Sequence, residues 1–303
     1  MVDESNCTHF ISDYKMDDRV MLLITHSWEH NHPIEDRSTT PNQYFDDSIK
    51  GWKRLYSKLG VYEYYRKIAM NGLPFPIIHS IREDIPYYHR NGFSYFYTQY
   101  NLDDIGTYGL NYYIAAKLLW NVNADVDRIL GEFYDKFYGP ASTHMRAYFE
   151  TLEDAAIASN LELSPDYYGA FLDLFTDRVL DDCESSLHSA EAAVAGDELL
   201  EARVHLSRIS LDYTKDVMNY LKMIRDAIRD AMPNGPFWTI LPGTLDLDHI
   251  ETAADAVKEY MENMSACKTI TKSNYTEKLF NINTAFYSVR SYYYGDDEYT
   301  KRS

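Results

Sequence analysis

Residues 109–150 read GLNYYIAAKLLWNVNADVDRILGEFYDKFYGPASTHMRAYFE. The pattern predicts three short amphipathic helices separated by polar or Gly-Pro joints. Val126, Ile129, Leu130, Phe133 and Phe137 recur at the spacing of one helical face. Asn123 or Asp125 can cap the start of that helix, because a short polar side chain accepts from its first free N–H groups. Gly139 can end it in a left-handed conformation, and Pro140 suits the first turn of the next helix. That next helix carries its own apolar stripe, Met145, Tyr148, Phe149 and Leu152.

Upstream, strands and helices alternate. Arg19–Thr25, RVMLLIT, is a continuous apolar run, which predicts a strand buried on both faces. A helix is expected over residues 41–58, with Pro41 in its first turn. Gly60–Tyr65 reads as a second strand, Ile81–Arg90 as a helix and Gly92–Thr98 as a third strand. Parallel strands joined by helices fit this order. The expected fold class is therefore α/β: a partial (β/α) TIM-type barrel, its last three or so strands, over residues 1–122. An all-α helical domain is expected over residues 123–303.

In that second part, Leu180, Cys183, Leu187, Ala190 and Val194 form one stripe that Gly196 ends. Asp197 caps a long partner running from Leu206 to Ile228, and the short joint predicts an antiparallel pair. Pro233–Pro236 breaks the pattern. Ile250, Ala253, Val257, Met261 and Met264 suggest a further helix, and the tail after Arg290 lacks clear periodicity.

Several segments carry a resemblance: HSWEHNHPIED (26–36), IKGWKRL (49–55), VYEYY (61–65), LPFPII (73–78) and the run from Leu110 to Glu150. Together they resemble a bacterial glycoside-hydrolase-like family catalogued as a domain of unknown function and related to α-glucuronidases and β-N-acetylhexosaminidases. The resemblance covers roughly residues 15 to 160. It implies a carbohydrate-binding or glycan-hydrolysing protein. In the hexosaminidase relatives the catalytic acid lies on an earlier strand, so the chain is expected to be the C-terminal part of a larger enzyme.

The composition bounds the function differently. The 303 residues include 29 Lys and Arg against 47 Asp and Glu, a net charge of −18. Such a field repels phosphate backbones, so no nucleic-acid partner is expected. No apolar run approaches a membrane span, so no membrane partner is expected either. MVDESNCTHF has no signal-peptide pattern, which points to a cytoplasmic chain, or to an exported one if its leader lies upstream. Three widely spaced cysteines form neither a disulfide framework nor a zinc pattern. The 28 tyrosines offer flat faces with polar edges, as sugar recognition requires, although many such rings serve as core. No cofactor is expected, and composition leaves the oligomeric state open.

In a βα barrel the site lies at the C-terminal ends of the strands. That rule selects His26, Trp28, Glu29 and His30 after the first strand, Tyr62, Glu63 and Tyr64 at the second, and Tyr97 and Gln99 at the third. Glu63 is the candidate catalytic carboxylate, since a Glu amid apolar and aromatic neighbours must be paired, solvated by a cleft or functional. Its structural alternative is an ion pair with Arg66, Lys67 or another barrel residue. The others are candidate substrate-binding residues. Asp103 and Asp104 are alternative carboxylates, better suited to starting a helix. A non-catalytic carbohydrate-binding or interaction module is the rival reading. A third is a metal-dependent hydrolase using the His26–His32 loop, because His26, Glu29, His30 and His32 could hold a metal. His26-Ser-Trp-Glu-His30 matches the HxxEH motif, which needs a helix that Asn31 and Pro33 argue against. His188 and His205 read as solvated.

Overall fold

The computed structural model describes residues 15–26, 30–65, 72–99, 105–159 and 167–231. In chain order these form β1 (Leu22–Thr25), α1 (Thr40–Trp52), β2 (Leu59–Glu63), α2 (Ile78–Arg90) and β3 (Phe93–Thr98). There follow α3 (Ile105–Trp120), α4 (Val126–Tyr138), a 3-10 turn (Gly139–Ala141), α5 (Ser142–Ala158), α6 (Tyr167–Leu174), α7 (Asp177–Val194) and α8 (Glu198–Ala231). The features read over residues 233–236 and 250–264, and the tail, lie outside the described residues.

The strands make one parallel sheet in the order β1-β2-β3. Leu22 pairs with Leu59, and Leu59 with Phe93. One irregularity follows: Gly60 pairs with Tyr95, so β3 carries an extra residue, Ser94. Phe93 and Phe96 consequently turn to the same side, where they pack with Val61, Ile24, Phe45, Ile49, Tyr87 and Tyr88 from the strands and from α1 and α2. This is a compact core between the sheet and its two helices.

The opposite face has no such cover among the described residues. An added Cβ at Gly60 would stand 3.0 Å from Tyr95 Cβ and 3.1 Å from Leu23 Cδ1. Leu23, residue 60 and Tyr95 therefore share a face, and the two-residue period of a strand adds Thr25, Tyr62 and Tyr97 to it. Leu23, Tyr95 and Tyr97 are 45%, 50% and 56% exposed.

The expected TIM-type barrel does not hold. The three strands are adjacent and parallel as the sequence predicts, but they form a small open sheet in a chain whose described residues are mostly helical. The continuous apolarity of residues 19–25 implied burial on both faces; Leu23 instead faces outward. A second cluster of buried side chains runs from Tyr65, Leu73 and Ile81 through Ile114 and Leu118 to Leu187 and Leu221.

The helices begin and end where elementary chemistry directs. Thr39 caps α1 with Pro41 in its first turn. Asp125 caps α4 by accepting from Arg128 N at 3.0 Å, and Gly139, at φ 53°, ends it. Gly196, at φ 93°, turns α7 into α8, and Asp197 accepts from Leu199 and Leu200 N at 3.1 Å each. Asn111 of α3 is fully buried. It accepts from Ile77 N at 3.1 Å and donates to Tyr65 O at 3.2 Å and Phe75 O at 3.1 Å.

The α7–α8 pair is also tied electrostatically. Arg208 donates to Glu184 at 2.8 Å and to Glu191 at 2.7 Å, and Lys215 donates to Glu184 as well. These donors hold the Glu184 carboxyl down at about 2, against an ordinary 4.5. A depressed folded-state value stabilises fully above 4.5, and that contribution is lost as pH falls toward about 2. Acid titration followed by circular dichroism is expected to show destabilisation beginning in that window. Glu184→Gln is expected to flatten this part of the acid limb; an unchanged limb would remove the clamp from the account.

Candidate functional site

The strand ends carry two groups of polar and aromatic residues, on opposite faces of the sheet. The period of two decides this, because Tyr62 and Tyr64 must point away from Glu63.

Glu63 points into the layer between the sheet and its helices and is 1% exposed. Its Oε1 accepts from Nδ1 of His26 at 3.0 Å and from the Tyr88 hydroxyl, while Oε2 accepts from Tyr64 N at 3.3 Å. His26 follows β1 directly and extends the pairing by one step, its N donating to Tyr62 O at 3.2 Å. Its ring stacks on Phe45, with centroids 4.0 Å apart, and lies 3.8 Å from the His30 ring. His30 in turn donates from Nε2 to Asp84 at 2.7 Å, and Asp84 also accepts from Ile34 N at 2.7 Å.

Two histidines and two carboxylates thus alternate through one buried layer. Burial, reinforced by the carboxylates of Glu63 and Asp84, pushes the phenols of Tyr65 and Tyr88 well above their ordinary value. Tyr88 is therefore a neutral donor to Glu63. This arrangement joins the ends of β1 and β2 to α2, and neither Glu63 nor His26 meets open solvent.

The other group lies on the opposite face, which has no helix over it among the described residues. The rings of Tyr62 and Tyr64 are 4.9 Å apart, as are those of Tyr62 and Tyr97. Gln99, just past β3, donates from its amide to the Tyr62 hydroxyl at 2.5 Å. Burial, and then the neighbouring Tyr62, raise the Tyr64 phenol above its ordinary value, so it stays neutral. The result is a platform of three rings edged by hydroxyls and an amide.

The expected site residues therefore do not converge on one cleft. His26, His30 and Glu63 gather beneath the sheet, and Tyr62, Tyr64, Tyr97 and Gln99 above it. Trp28, Glu29, Arg66, Lys67, Asp103 and Asp104 lie outside the described residues. His188 and His205 are exposed on α7 and α8. Neither His26 nor His30 lies in a helix, the geometry HxxEH requires. Among the described residues no three His, Cys, Asp or Glu side chains come together as a metal site. No described helix is long and apolar enough to cross a membrane.

Sequence reasoning missed Asp84 and Tyr88, the partners of His30 and Glu63. A signal existed: Ile78, Ile81, Ile85 and Tyr88 form the buried stripe of α2, and Asp84 sits beside it. A carboxylate on a buried face demands a partner.

Residues 8–150 match a family model described as Domain of unknown function (DUF4838). The match takes in the sheet, α1 to α4 and the first half of α5, and so includes both groups at the strand ends. No curated protein and no solved structure matches the chain.

Proposed function

We propose that the sheet face carrying Tyr62, Tyr64 and Tyr97 is a carbohydrate-binding platform, on which the protein holds a glycan without cleaving it. The observation that carries this reading is the contiguous set Tyr62, Tyr64 and Tyr97, with the Gln99 amide at its edge. Tyrosine offers a sugar ring an apolar face to stack on and a hydroxyl to bond its rim. An exposed aromatic patch is a binding surface more often than an accident. The resemblance to a glycoside-hydrolase-like family supports the ligand class.

Among the described residues, the place of Glu63 supports binding without cleavage. Glycoside hydrolysis generally needs two carboxyl groups flanking the scissile bond. Glu63 lies on the far side of the sheet from the tyrosines, already engaged by His26 and Tyr88.

Tyr97→Ala tests the reading. Removing one of the three rings is expected to weaken glycan affinity about tenfold, the effect of losing one aromatic contact. The melting temperature should stay within a degree or two of the parent, because Tyr97 is 56% exposed. Affinity electrophoresis through gels cast with soluble polysaccharides measures the first quantity, and thermal unfolding the second. Unretarded migration of the parent chain in every gel would sink the proposal.

A further inference from the structure

We infer that two copies of this chain associate through α3, laid antiparallel about a two-fold axis beside Tyr112 and Tyr113. The contact lies on a different element from the strand-end platform, so the two stand or fall separately.

The first observation is a helix more apolar than its exposure warrants. α3 carries a single charged side chain, Lys117, among its 16 residues. One side of it, with Tyr108, Asn111, Ile114, Ala115 and Leu118, is buried. Ile105, Ala116, Leu119 and Trp120 are exposed on the other side, Trp120 to 92%. With Gly109, Tyr112 and Tyr113 they fall within about a third of the helix circumference, at about 3.6 residues per turn. A helix that is apolar all round normally has cover all round. At Gly109 an added Cβ would have Ile105 Cγ1 of the same face as its nearest neighbour, at 3.5 Å.

The second observation is the order of sizes along that face. Ile105, Gly109, Tyr112, Tyr113, Ala116 and Trp120 run large, small, ring, ring, small, large. The order is the same from either end. A two-fold contact sets residue i against j and j against i. Centred between Tyr112 and Tyr113, it lays Ile105 along Trp120 of the second copy, Gly109 along Ala116 and Tyr112 along Tyr113. The small pairs let the backbones approach, and the large pairs close the two ends. A glycan or a lipid surface demands no such order, whereas a second copy of the same helix matches it throughout.

The third observation is size and charge. The 16 residues of α3 span about 24 Å. Two such helices in contact make a small interface, below about 1,200 Å² in total, and so a weak dimer of roughly micromolar strength. Each copy carries −18, so the copies repel at long range. Lys117 already lies over the Tyr113 ring, 5.2 Å from its centroid. The attraction is therefore apolar, and salt should strengthen the dimer by screening the repulsion.

Sedimentation velocity of the full chain from about 1 to about 100 µM is expected to show monomer passing to dimer, more completely at high salt. Trp120→Lys is expected to weaken association at least about tenfold while the melting temperature holds, because the ring is exposed. Thiol trapping reads the register. With Cys7 and Cys267 replaced by serine, Gly109→Cys and Ala116→Cys chains are expected to form a disulfide dimer when mixed. Neither should do so alone, since like positions stand roughly 10 Å apart along the axis, beyond disulfide reach. A monomer at every concentration would give the face to a glycan, a lipid surface or another part of the chain, and would overturn the inference. A dimer undiminished in Trp120→Lys, or equal disulfide yields from mixed and unmixed chains, would overturn it as well.

Discussion

Glu63→Ala is expected to destabilise the fold by about 3–5 kcal/mol, the cost of removing one partner from a buried charged network. The deletion strands two side chains at once. Tyr88 loses the acceptor for a hydroxyl that burial keeps neutral, and His26 loses the group that orients its ring. Neither can turn to water, because both are buried. Glu63→Gln keeps the shape and one carbonyl oxygen. Its amide then faces the Tyr64 N–H, a donor against a donor, so a smaller loss of about 1–2 kcal/mol is expected. Urea titrations that compare midpoints at constant slope measure both. The same pair of variants separates a structural from a catalytic Glu63. A catalytic carboxylate would lose turnover in Glu63→Gln while stability barely moved. Parental stability in Glu63→Ala would show that the network does not hold the strands to α2.

Asn111→Ala is expected to cost a similar amount, about 3–4 kcal/mol. One buried amide satisfies three backbone groups, Ile77 N–H, Tyr65 C=O and Phe75 C=O. The three losses share a single side chain, so they do not add fully. The lever is positional as well as energetic. Asn111 belongs to α3, whereas Tyr65, Phe75 and Ile77 belong to the connection between β2 and α2. A melting temperature lower by on the order of 10 °C is expected for a chain of this size. Faster hydrogen exchange at Ile77 N–H should accompany it. An unshifted melt would mean that the connection is held by its apolar side chains, Leu73, Phe75 and Ile77, alone.

Local structure was legible where the chemistry is local. The cap at Asp125, the stop at Gly139 and the turn through Gly196 and Asp197 all follow from side chains acting within a few residues. The strands were placed to within a few residues for the same reason, by apolar runs between turn signals. What failed was closure. An apolar strand looks alike in a barrel and in a sheet with one open face, because the sequence of Leu22–Thr25 does not say what lies opposite Leu23. The candidate site residues divide between two faces for a different reason. Tyr62, Glu63 and Tyr64 were grouped because all three end one strand, although strict alternation already assigned Glu63 to the other face. Its true partners, Tyr88 and His26, come from positions 25 and 37 residues away, and only the folded arrangement of α2 over β2 brings them together.

The extra residue in β3 acts as a joint in the strand's phase. Phe93 and Phe96 are three apart, yet both face the helices, because Ser94 stands outside the pairing. Were Ser94 drawn into the ladder, every position after it would change sides, with the tyrosine rings driven toward Val61 and Phe96 turned to water. Removing Ser94 would instead close the joint and leave Leu59 beside Phe93 and Gly60 beside Tyr95. The outward tyrosines therefore depend on where the strand slips and not on its length, and this segment should tolerate the loss of that one residue better than a forced straightening.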